Sequence, residues 1–241
     1  MKTITNIVLV ILFIISQNSC AQSSIKGEGS VITKEFPISN FTELNIAGSI
    51  DYILVDNARQ SAVIVKTHAN LMDRIEIKQK SSALSIGLKN NTNLRSYKTF
   101  EVYIPVSTRN LAEIHHAGSG EMISEVILSA NSLELNHAGS GEVSTQVNSY
   151  NLKASTAGSG EINLEGKAEN VKMSLSGSGE ILAKNLKSKN AKIGISGSGE
   201  VEISVSHDLK VAISGSGDVY YKGNPSNIKK TISGSGDVTQ L

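Results

Sequence analysis

The sequence lacks several features on which common functions depend. It has no tryptophan, and aromatic residues make up only 4% of its 241 residues. This scarcity argues against a platform for stacked bases and against tryptophan-rich sugar subsites. Lys and Arg number 23 and Asp and Glu number 22, so the formal net charge is only +1. Since nucleic-acid binders carry a basic face or stripe, we expect no nucleic-acid partner.

The chain also lacks a long apolar run and has only one cysteine. The apolar stretch at residues 7–15 spans nine residues, whereas a transmembrane helix needs about 20. A short run near the N-terminus, followed by small residues and Cys20, is typical of a lipoprotein signal peptide over residues 1–19. Cys20 would then be the lipidated N-terminus; ordinary cleavage after Ala21 is the alternative. Both predict export, to the outer membrane as a lipoprotein or to the periplasm or cell surface, and any membrane contact would be through the lipid anchor only.

What the sequence has in abundance is a short glycine motif repeated at a nearly fixed spacing. The tetrapeptide G-S-G-E/D occurs seven times, and 14 of the 21 glycines belong to it. Successive copies are 18 to 21 residues apart, a regularity that a disordered Gly/Ser linker would not hold. The first glycines of the seven copies are Gly118, Gly139, Gly158, Gly177, Gly197, Gly215 and Gly234.

Apolar residues alternate with polar residues on both sides of each motif. They fall six, four and two positions before the first glycine and four positions after it, which is the period of a β-strand. Each repeat of about 19 residues therefore predicts a strand, a corner and a second strand. Such repeats stack into an all-β, single-stranded parallel β-helix, with the G-S-G-E/D corners along one edge. Its interior columns are predicted to run through Leu133, Leu152 and Val171, and through Val143, Ile162 and Ile181.

The residues before the repeats are less regular. We assign residues 20–35 to a short linker, residues 36–110 to irregular initial coils or a cap, and residues 111–241 to the regular part of one domain. Glu43–Asp51 is a decayed copy of the repeat, and Lys89–Asn93 reads as a hairpin tip. A cap would block edge-to-edge aggregation at one end of the stack.

Several segments together resemble one protein family. They are F-T-E-L-N-I-A-G-S-I-D-Y-I-L-V, N-L-M-D-R-I-E-I, the G-S-G-E/D ladder, and V-Y-Y-K-G-N-P-S-N-I-K-K-T-I-S-G-S-G-D-V near the C-terminus. Over Phe36–Leu241 the chain resembles the putative auto-transporter adhesin, head GIN domain family, a domain of unknown function in exported bacterial proteins. The resemblance implies a pectin-lyase-like, right-handed β-helix and a cell-adhesion role without catalysis. It brings no catalytic or ligand residues to carry over to this sequence.

An acidic column is the strongest chemical feature of the repeats. One carboxylate stands three residues after each first glycine, so stacked coils would place the carboxylates about 5 Å apart. At an effective dielectric of about 20, repulsion between neighbours is then about 3 kcal/mol, so the column must be solvated or bind cations. We favour a solvated face and predict no cofactor, because calcium-binding repeats carry their motif about every nine residues. The candidate calcium ligands are Glu121, Glu142, Glu161, Glu180, Glu200, Asp218 and Asp237.

Two further columns carry polar groups. Five residues before the first glycine, two glutamates are followed by five lysines, either as a basic stripe for acidic glycans or lipid headgroups or as charge that keeps the surface soluble. Two residues before the glycine, His116 and His137 share an inward column. A hydrogen-bonded polar step in the core is favoured there over a metal pair, which would need more ligands. The charged column consists of Glu113, Glu134, Lys153, Lys172, Lys192, Lys210 and Lys229.

The uniformity of the repeats bears on the choice between two functions. The motif serine recurs in every copy, and none stands beside a distinctive His and Asp, as a nucleophile would. A lyase or hydrolase on a β-helix needs Asp clustered with Arg or Lys, and no coil stands out in this way. We therefore predict a non-catalytic module for cell-surface adhesion or envelope scaffolding, with an unidentified protein or glycan as partner. The alternative is a carbohydrate-active enzyme, a polysaccharide lyase or hydrolase.

Overall fold

A computed structural model describes residues 24–58, 61–90 and 92–241. Apart from a three-residue 3₁₀ helix at Met72–Arg74, the regular elements of these residues are all β-strands. No helix within the described residues is long and apolar enough to cross a bilayer. Cys20 and the predicted signal peptide lie outside the described residues.

The strands fall into an irregular group and a regular group. The irregular group is β1 Ser24–Lys26, β2 Val31–Pro37, β3 Glu43–Gly48, β4 Asp51–Asp56, β5 Ala62–His68, β6 Ile75–Lys80, β7 Ala83–Leu88, β8 Asn93–Ser96 and β9 Phe100–Val106. The regular group is β10 Glu113–Gly118, β11 Glu121–Leu128, β12 Ser132–Gly139, β13 Glu142–Gly158, β14 Glu161–Gly177, β15 Glu180–Gly197, β16 Glu200–Gly215, β17 Asp218–Lys222, β18 Asn227–Gly234 and β19 Val238–Gln240.

Successive coils pair as parallel strands in one register. Gly158 pairs with Gly177, and Gly177 with Gly197, so the corners lie one above another. The same register extends to the decayed copy of the repeat, because β3 pairs with β10 and Gly48 lies beside Gly118. The predicted parallel β-helix is therefore confirmed as a stacked β-solenoid, and the decayed copy is its first coil.

The chain between the first and second coils folds back over the end of the stack. β7 and β9 pair in parallel with β3 and β4, on the edges away from β10 and β11. Other pairs in this region are antiparallel: β2 with β5, β5 with β9, and β6 with β7. A layer of mixed sheet therefore closes this end of the solenoid.

Two local predictions differ from the structure. Lys89–Asn93 is not a hairpin tip, because it joins β7 to β8, and β8 pairs in parallel with β1. The hairpin of this region instead connects β6 to β7, with Ser81 at a φ of 53° in its turn. The predicted linker at residues 20–35 contains β1 and most of β2 in its described part. β2 has no buried side chain, so the apolar alternation that reveals the other strands is missing there.

The interior of the solenoid contains the predicted apolar columns. Both are in register and buried: Leu133, Leu152 and Val171 form one, and Val143, Ile162 and Ile181 form the other. The first and the last copies of the motif depart from this pattern at inward positions. Ala112 is exposed, and Leu111 is buried instead. Ile228 and Ile232, in the last coil, are 43% and 40% exposed because no further described coil covers them.

The corners require glycine at both motif positions. Gly177 has a φ of 117°, a conformation that strains any residue with a side chain. A Cβ on Gly177 would also lie 2.4 Å from the carbonyl oxygen of Gly158 in the preceding coil. The second glycine is equally crowded, since a Cβ on Gly179 would lie 2.3 Å from the carbonyl oxygen of Gly160. Successive corners thus stack backbone on backbone, which leaves no space for a side chain.

Candidate functional site

The sheet that leads into the corners carries the most regular set of outward side chains. It consists of the segments one to seven residues before each first glycine, and we call it the corner sheet. Because side chains alternate between the two faces of a strand, positions seven, five, three and one before the glycine point outward, except that Leu111, at position seven of the first copy, is buried. Each of these positions repeats from coil to coil and forms a column along the stack.

The column five residues before the first glycine is a ladder of lysines. This lysine ladder consists of Lys153, Lys172, Lys192, Lys210 and Lys229, which follow one another in register. Lys153 forms an ion pair with Glu134 of the preceding coil. The other four lysines are exposed and have no carboxylate within salt-bridge distance in the described part of the chain. The ladder therefore presents four adjacent positive charges without acidic partners.

A groove runs along the corner sheet beside the lysine ladder. This corner-sheet groove has a volume of about 910 Å³ and is lined in all seven coils by positions three and one before the first glycine. With coils about 4.8 Å apart, it is about 29 Å long. Most of its side chains are small, so the backbone between the two columns forms the floor. The residues of the two columns are His115, Asn136, Ser155, Ser174, Gly194, Ala212 and Thr231, and Ala117, Ala138, Ala157, Ser176, Ser196, Ser214 and Ser233.

The column seven residues before the first glycine is a hydrogen-bonded ladder that sequence analysis did not identify. Asn170 Nδ2 donates to Asn151 Oδ1 at 3.2 Å, and Asn190 Nδ2 donates to Asn170 Oδ1 at 2.9 Å. In the last coil, Asn227 Nδ2 donates to Asp208 Oδ1 at 2.9 Å. The recurrence of Asn seven residues before the first glycine was the sequence pattern that could have predicted this ladder. These bonds align the coils at the start of the corner sheet, next to the lysine ladder.

The acidic column lies beyond the corners, on the next sheet, and six of its seven members pair in register. Burial, followed by repulsion from neighbouring carboxylates, raises the pKa of Glu121 and of Glu200. Asn163 Nδ2 bridges two members, donating to Glu142 Oε1 at 3.1 Å and to Glu161 Oε1 at 2.6 Å. No group of three or more His, Cys, Asp or Glu among the described residues is arranged to hold a metal ion. The solvated face that we favour for this column, with calcium binding as its alternative, stays a prediction.

His116 and His137 form a hydrogen-bonded polar step in the core, as predicted. Their rings are stacked with centroids 4.9 Å apart, and their Nδ1 atoms are 3.0 Å apart. His137 Nε2 donates to the carbonyl oxygen of Gly141 at 3.0 Å, so neutral His137 accepts a hydrogen bond from His116 Nδ1. The buried Nε2 of His116 then has no partner among the described residues.

The pair is held neutral by its surroundings. Burial, followed by the neighbouring imidazole, lowers the pKa of His116 to about 4. Burial also lowers the pKa of His137. The two imidazoles fill a core column that continues as Thr156, Leu175 and Ile195.

The motif serines act through their backbone. Their side chains are exposed in all seven copies. The amides of Ser159, Ser178 and Ser198 donate to the carbonyl oxygen of the first glycine in the preceding coil at 2.9 to 3.0 Å. The repetition of serine is thus explained by the geometry of the corner, which places one small exposed residue between two crowded glycines.

Comparison with known proteins gives the family. A family model described as "Putative auto-transporter adhesin, head GIN domain" matches residues 40–225. No curated protein matches the sequence.

Several solved structures share the fold. A putative adhesin from Bacteroides fragilis has a TM-score of 0.84 at 21% identity, covering 90% of this chain and 100% of that one. A putative lipid binding protein from Parabacteroides distasonis has a TM-score of 0.76 at 27% identity, covering 91% and 100%. A putative adhesin from Parabacteroides merdae has a TM-score of 0.69 at 24% identity, covering 90% and 99%. With the family model matching most of the sequence, the chain belongs to the putative auto-transporter adhesin, head GIN domain family, as its motifs predicted.

Proposed function

We propose that this protein is a non-catalytic β-solenoid module that is exported and binds a partner at the cell envelope, for adhesion or as a scaffold. The observation that carries the proposal is the uniformity of the outward columns. A reaction centre needs one place where acid, base and binding groups converge, whereas each outward column repeats similar chemistry over several coils. Membership of a family described as adhesin heads supports the same function.

The titratable groups with the most strongly shifted pKa values also support a role without catalysis. His116 and Tyr52 are buried in the core, where their rings meet edge to face at 6.2 Å between centroids. Burial raises the pKa of Tyr52, and its hydroxyl donates to the carbonyl oxygen of Ala47 at 2.7 Å. Both side chains are almost completely buried, with 1% of His116 and 0% of Tyr52 exposed, so neither presents an acid or a base to a polymer on the surface.

Anchoring through Cys20 is the second part of the proposal. The chain Cys20→Ala should leave the membrane fraction and appear in soluble periplasmic or secreted fractions, because it has no acyl chains to insert. Cell fractionation with immunodetection measures this, and mass spectrometry of the mature wild-type N-terminus identifies the lipid. A wild-type N-terminus at Gln22, or unchanged fractionation of the variant, would contradict lipidation.

The absence of catalysis is tested directly. Purified protein incubated with acidic and neutral polysaccharides should release neither reducing ends nor unsaturated sugars above a buffer control. Cells that produce the protein should adhere to a surface coated with envelope material better than cells that lack it. Product release that increases with protein concentration would contradict the proposal.

A further inference from the structure

The lysine ladder places like charges directly beside one another. Neighbouring coils are about 4.8 Å apart, and like charges opposite each other in a sheet are destabilising. At the start of the lysine ladder, the charge of Lys153 is compensated by an ion pair with Glu134 of the adjacent coil. The later lysines have no such pair, and four consecutive lysines remain without an acidic partner among the described residues. Such a column is suited to a polyanion that comes from outside.

The corner-sheet groove lies next to this ladder and has the width of one polymer chain. Its two columns are two residues apart along the strand, which is about 7 Å. Methyl groups and exposed backbone can contact the CH faces of sugar rings, and serine hydroxyls can bond to sugar hydroxyls. In the central coils the columns are formed by Ser155, Ser174 and Gly194, and by Ala157, Ser176 and Ser196.

We propose that the corner sheet binds a linear acidic polysaccharide that lies in the corner-sheet groove along the solenoid axis, with its carboxylates facing the lysine ladder. The inference rests on the proposed function and names the chemical class of its partner. A polyuronate fits because one sugar unit of an extended chain is about as long as one coil spacing. The acidic column beyond the corners repels the polymer from the other side and so favours its position over the groove.

A lipid surface fits the corner sheet less well. A membrane-binding face adds exposed large apolar side chains to its basic ones. Within the described residues, no exposed large apolar side chain stands in the lysine ladder or in the two columns of the groove. Ile228 and Ile232 belong to inward columns of the last coil of the corner sheet, and the others lie outside this sheet: Val31, Ile32, Ile123, Ile127, Tyr150 and Leu241. A recessed groove also favours a narrow chain over a flat bilayer.

The test uses polygalacturonic acid, in which every sugar carries a carboxylate. Binding of the purified protein is measured by isothermal titration calorimetry, with fully methyl-esterified polygalacturonate as the uncharged probe. We expect binding of the acid form only, and we expect it to weaken as ionic strength rises because exposed charges are screened.

A second experiment removes the charges of the three central lysines of the ladder. The triple variant Lys172→Gln, Lys192→Gln and Lys210→Gln should raise the Kd at least about tenfold, because it deletes three adjacent positive charges. All three side chains are exposed, and their removal relieves repulsion within the ladder, so the urea midpoint of unfolding should not fall below that of the wild type.

A control removes three positive charges from another face of two of these coils, where, within the described part of the chain, Lys189 alone of the three is paired with a carboxylate, that of Glu169. Lys167, Lys187 and Lys189 line a different groove, and the triple change of these lysines to Gln should alter the Kd less than about twofold. Equal loss of affinity in the two variants, or binding of the esterified polymer, would overturn the inference. So would an absence of wild-type binding, or binding to phosphatidylglycerol vesicles in place of polygalacturonate. Release of unsaturated or reducing sugars in the same samples would instead contradict the proposed non-catalytic function.

Discussion

Among the described residues, a layer of strands covers the N-terminal end of the solenoid, whereas no further coil lies on the last coil, which forms its open end. At the covered end, β7 and β9 pair with the first coil, and Phe100 and Val102 are buried. At the open end, the described strands that pair with β18 and β19 all belong to the coil before them, and every residue of β18 is exposed. In a solenoid each coil depends on its neighbours, so residues at equivalent positions contribute differently in the middle and at the open end.

The open end carries a charge in a column that is apolar elsewhere. Lys230 lies in register with Val211, and the same column holds Ile193 and Met173 in earlier coils. Lys230 Nζ donates to the carbonyl oxygen of Val238 at 2.6 Å. An inward-pointing charge on an edge strand disfavours pairing with another chain. One end thus has a covering layer, and the other has a cation at the edge of the core, which we expect to oppose pairing with a second chain.

The largest effect is expected from Gly177→Val, in the middle of the stack. A β-branched residue at a φ of 117° is strained, and its Cβ would meet the carbonyl oxygen of Gly158 at 2.4 Å. Both adjacent coils would have to move, so we expect a loss of more than about 4 kcal/mol or a failure to fold. Urea unfolding followed by circular dichroism measures the change.

Two control variants distinguish the effect of the clash at the corner from the effect of its position in the stack. Gly234→Val makes the same clash, 2.0 Å from the carbonyl oxygen of Gly215, but it should mainly fray the last coil and cost less. Lys172→Val, on the exposed face of a central coil, should change the stability by less than about 0.5 kcal/mol. Equal losses of stability in Gly177→Val and Gly234→Val would show that the middle of the stack and its open end do not differ as proposed.

A second pair compares one core column in the two regions. Ile195 is 3% exposed and Ile232 is 40% exposed, although both stand two residues before a first glycine. Ile195→Ala should cost about 2–5 kcal/mol because it leaves a cavity, whereas Ile232→Ala should cost less than about 1 kcal/mol because solvent already reaches it. Thermal and urea unfolding give both values, and a large loss for Ile232→Ala would mean that another element covers this end.

The polar step near the covered end predicts a pH dependence. The pKa of His116 is lowered to about 4, while an unfolded histidine has a pKa of about 6.5. Between these values the unfolded chain binds more protons, so stability is lost as the pH falls from about 6.5 to about 4, by about 3 kcal/mol. The variant His116→Leu should flatten this part of the stability profile, and His207→Leu, at an exposed histidine, should not. Parallel pH profiles of the wild type and His116→Leu would argue that another group titrates.

The regular part of the fold could be predicted because one residue pattern is repeated seven times. Each of Leu133, Leu152 and Val171 was placed correctly by its distance from a glycine, since stacking makes one alignment valid for every coil. The pattern says nothing about where the stack ends. Ile228 and Ile232 match the buried columns in sequence and are exposed, because burial requires a neighbouring coil.

The covering layer and the outer ladders were harder to predict. β2 has no buried side chain and is held by its antiparallel pairing with β5. The sequence of β2 itself therefore has no apolar alternation that would predict a strand. The Asn170–Asn190 bond likewise exists only after stacking, since the two residues are far apart in the chain. Features that depend on contacts between coils, and not on alternation within one coil, were the ones that sequence analysis missed.

A small change in stability, with a separate effect on assembly, is expected from Lys230→Ile. The substitution completes the apolar column at the open end, so the free energy of unfolding should change by less than about 1 kcal/mol. It also removes the charge that opposes pairing of β18 with a second chain. We therefore expect concentration-dependent association, measured by light scattering after size-exclusion chromatography.

The matched control for this change is the preceding residue. Lys229→Ile adds the same apolar side chain to the same strand, but on its outward face, where it leaves the open core column unchanged. Association of Lys230→Ile alone would show that the inward charge protects this end. Equal association of both variants would attribute the effect to added surface hydrophobicity, and two monomeric variants would mean that the exposed edge of β18 is protected by its geometry and not by Lys230.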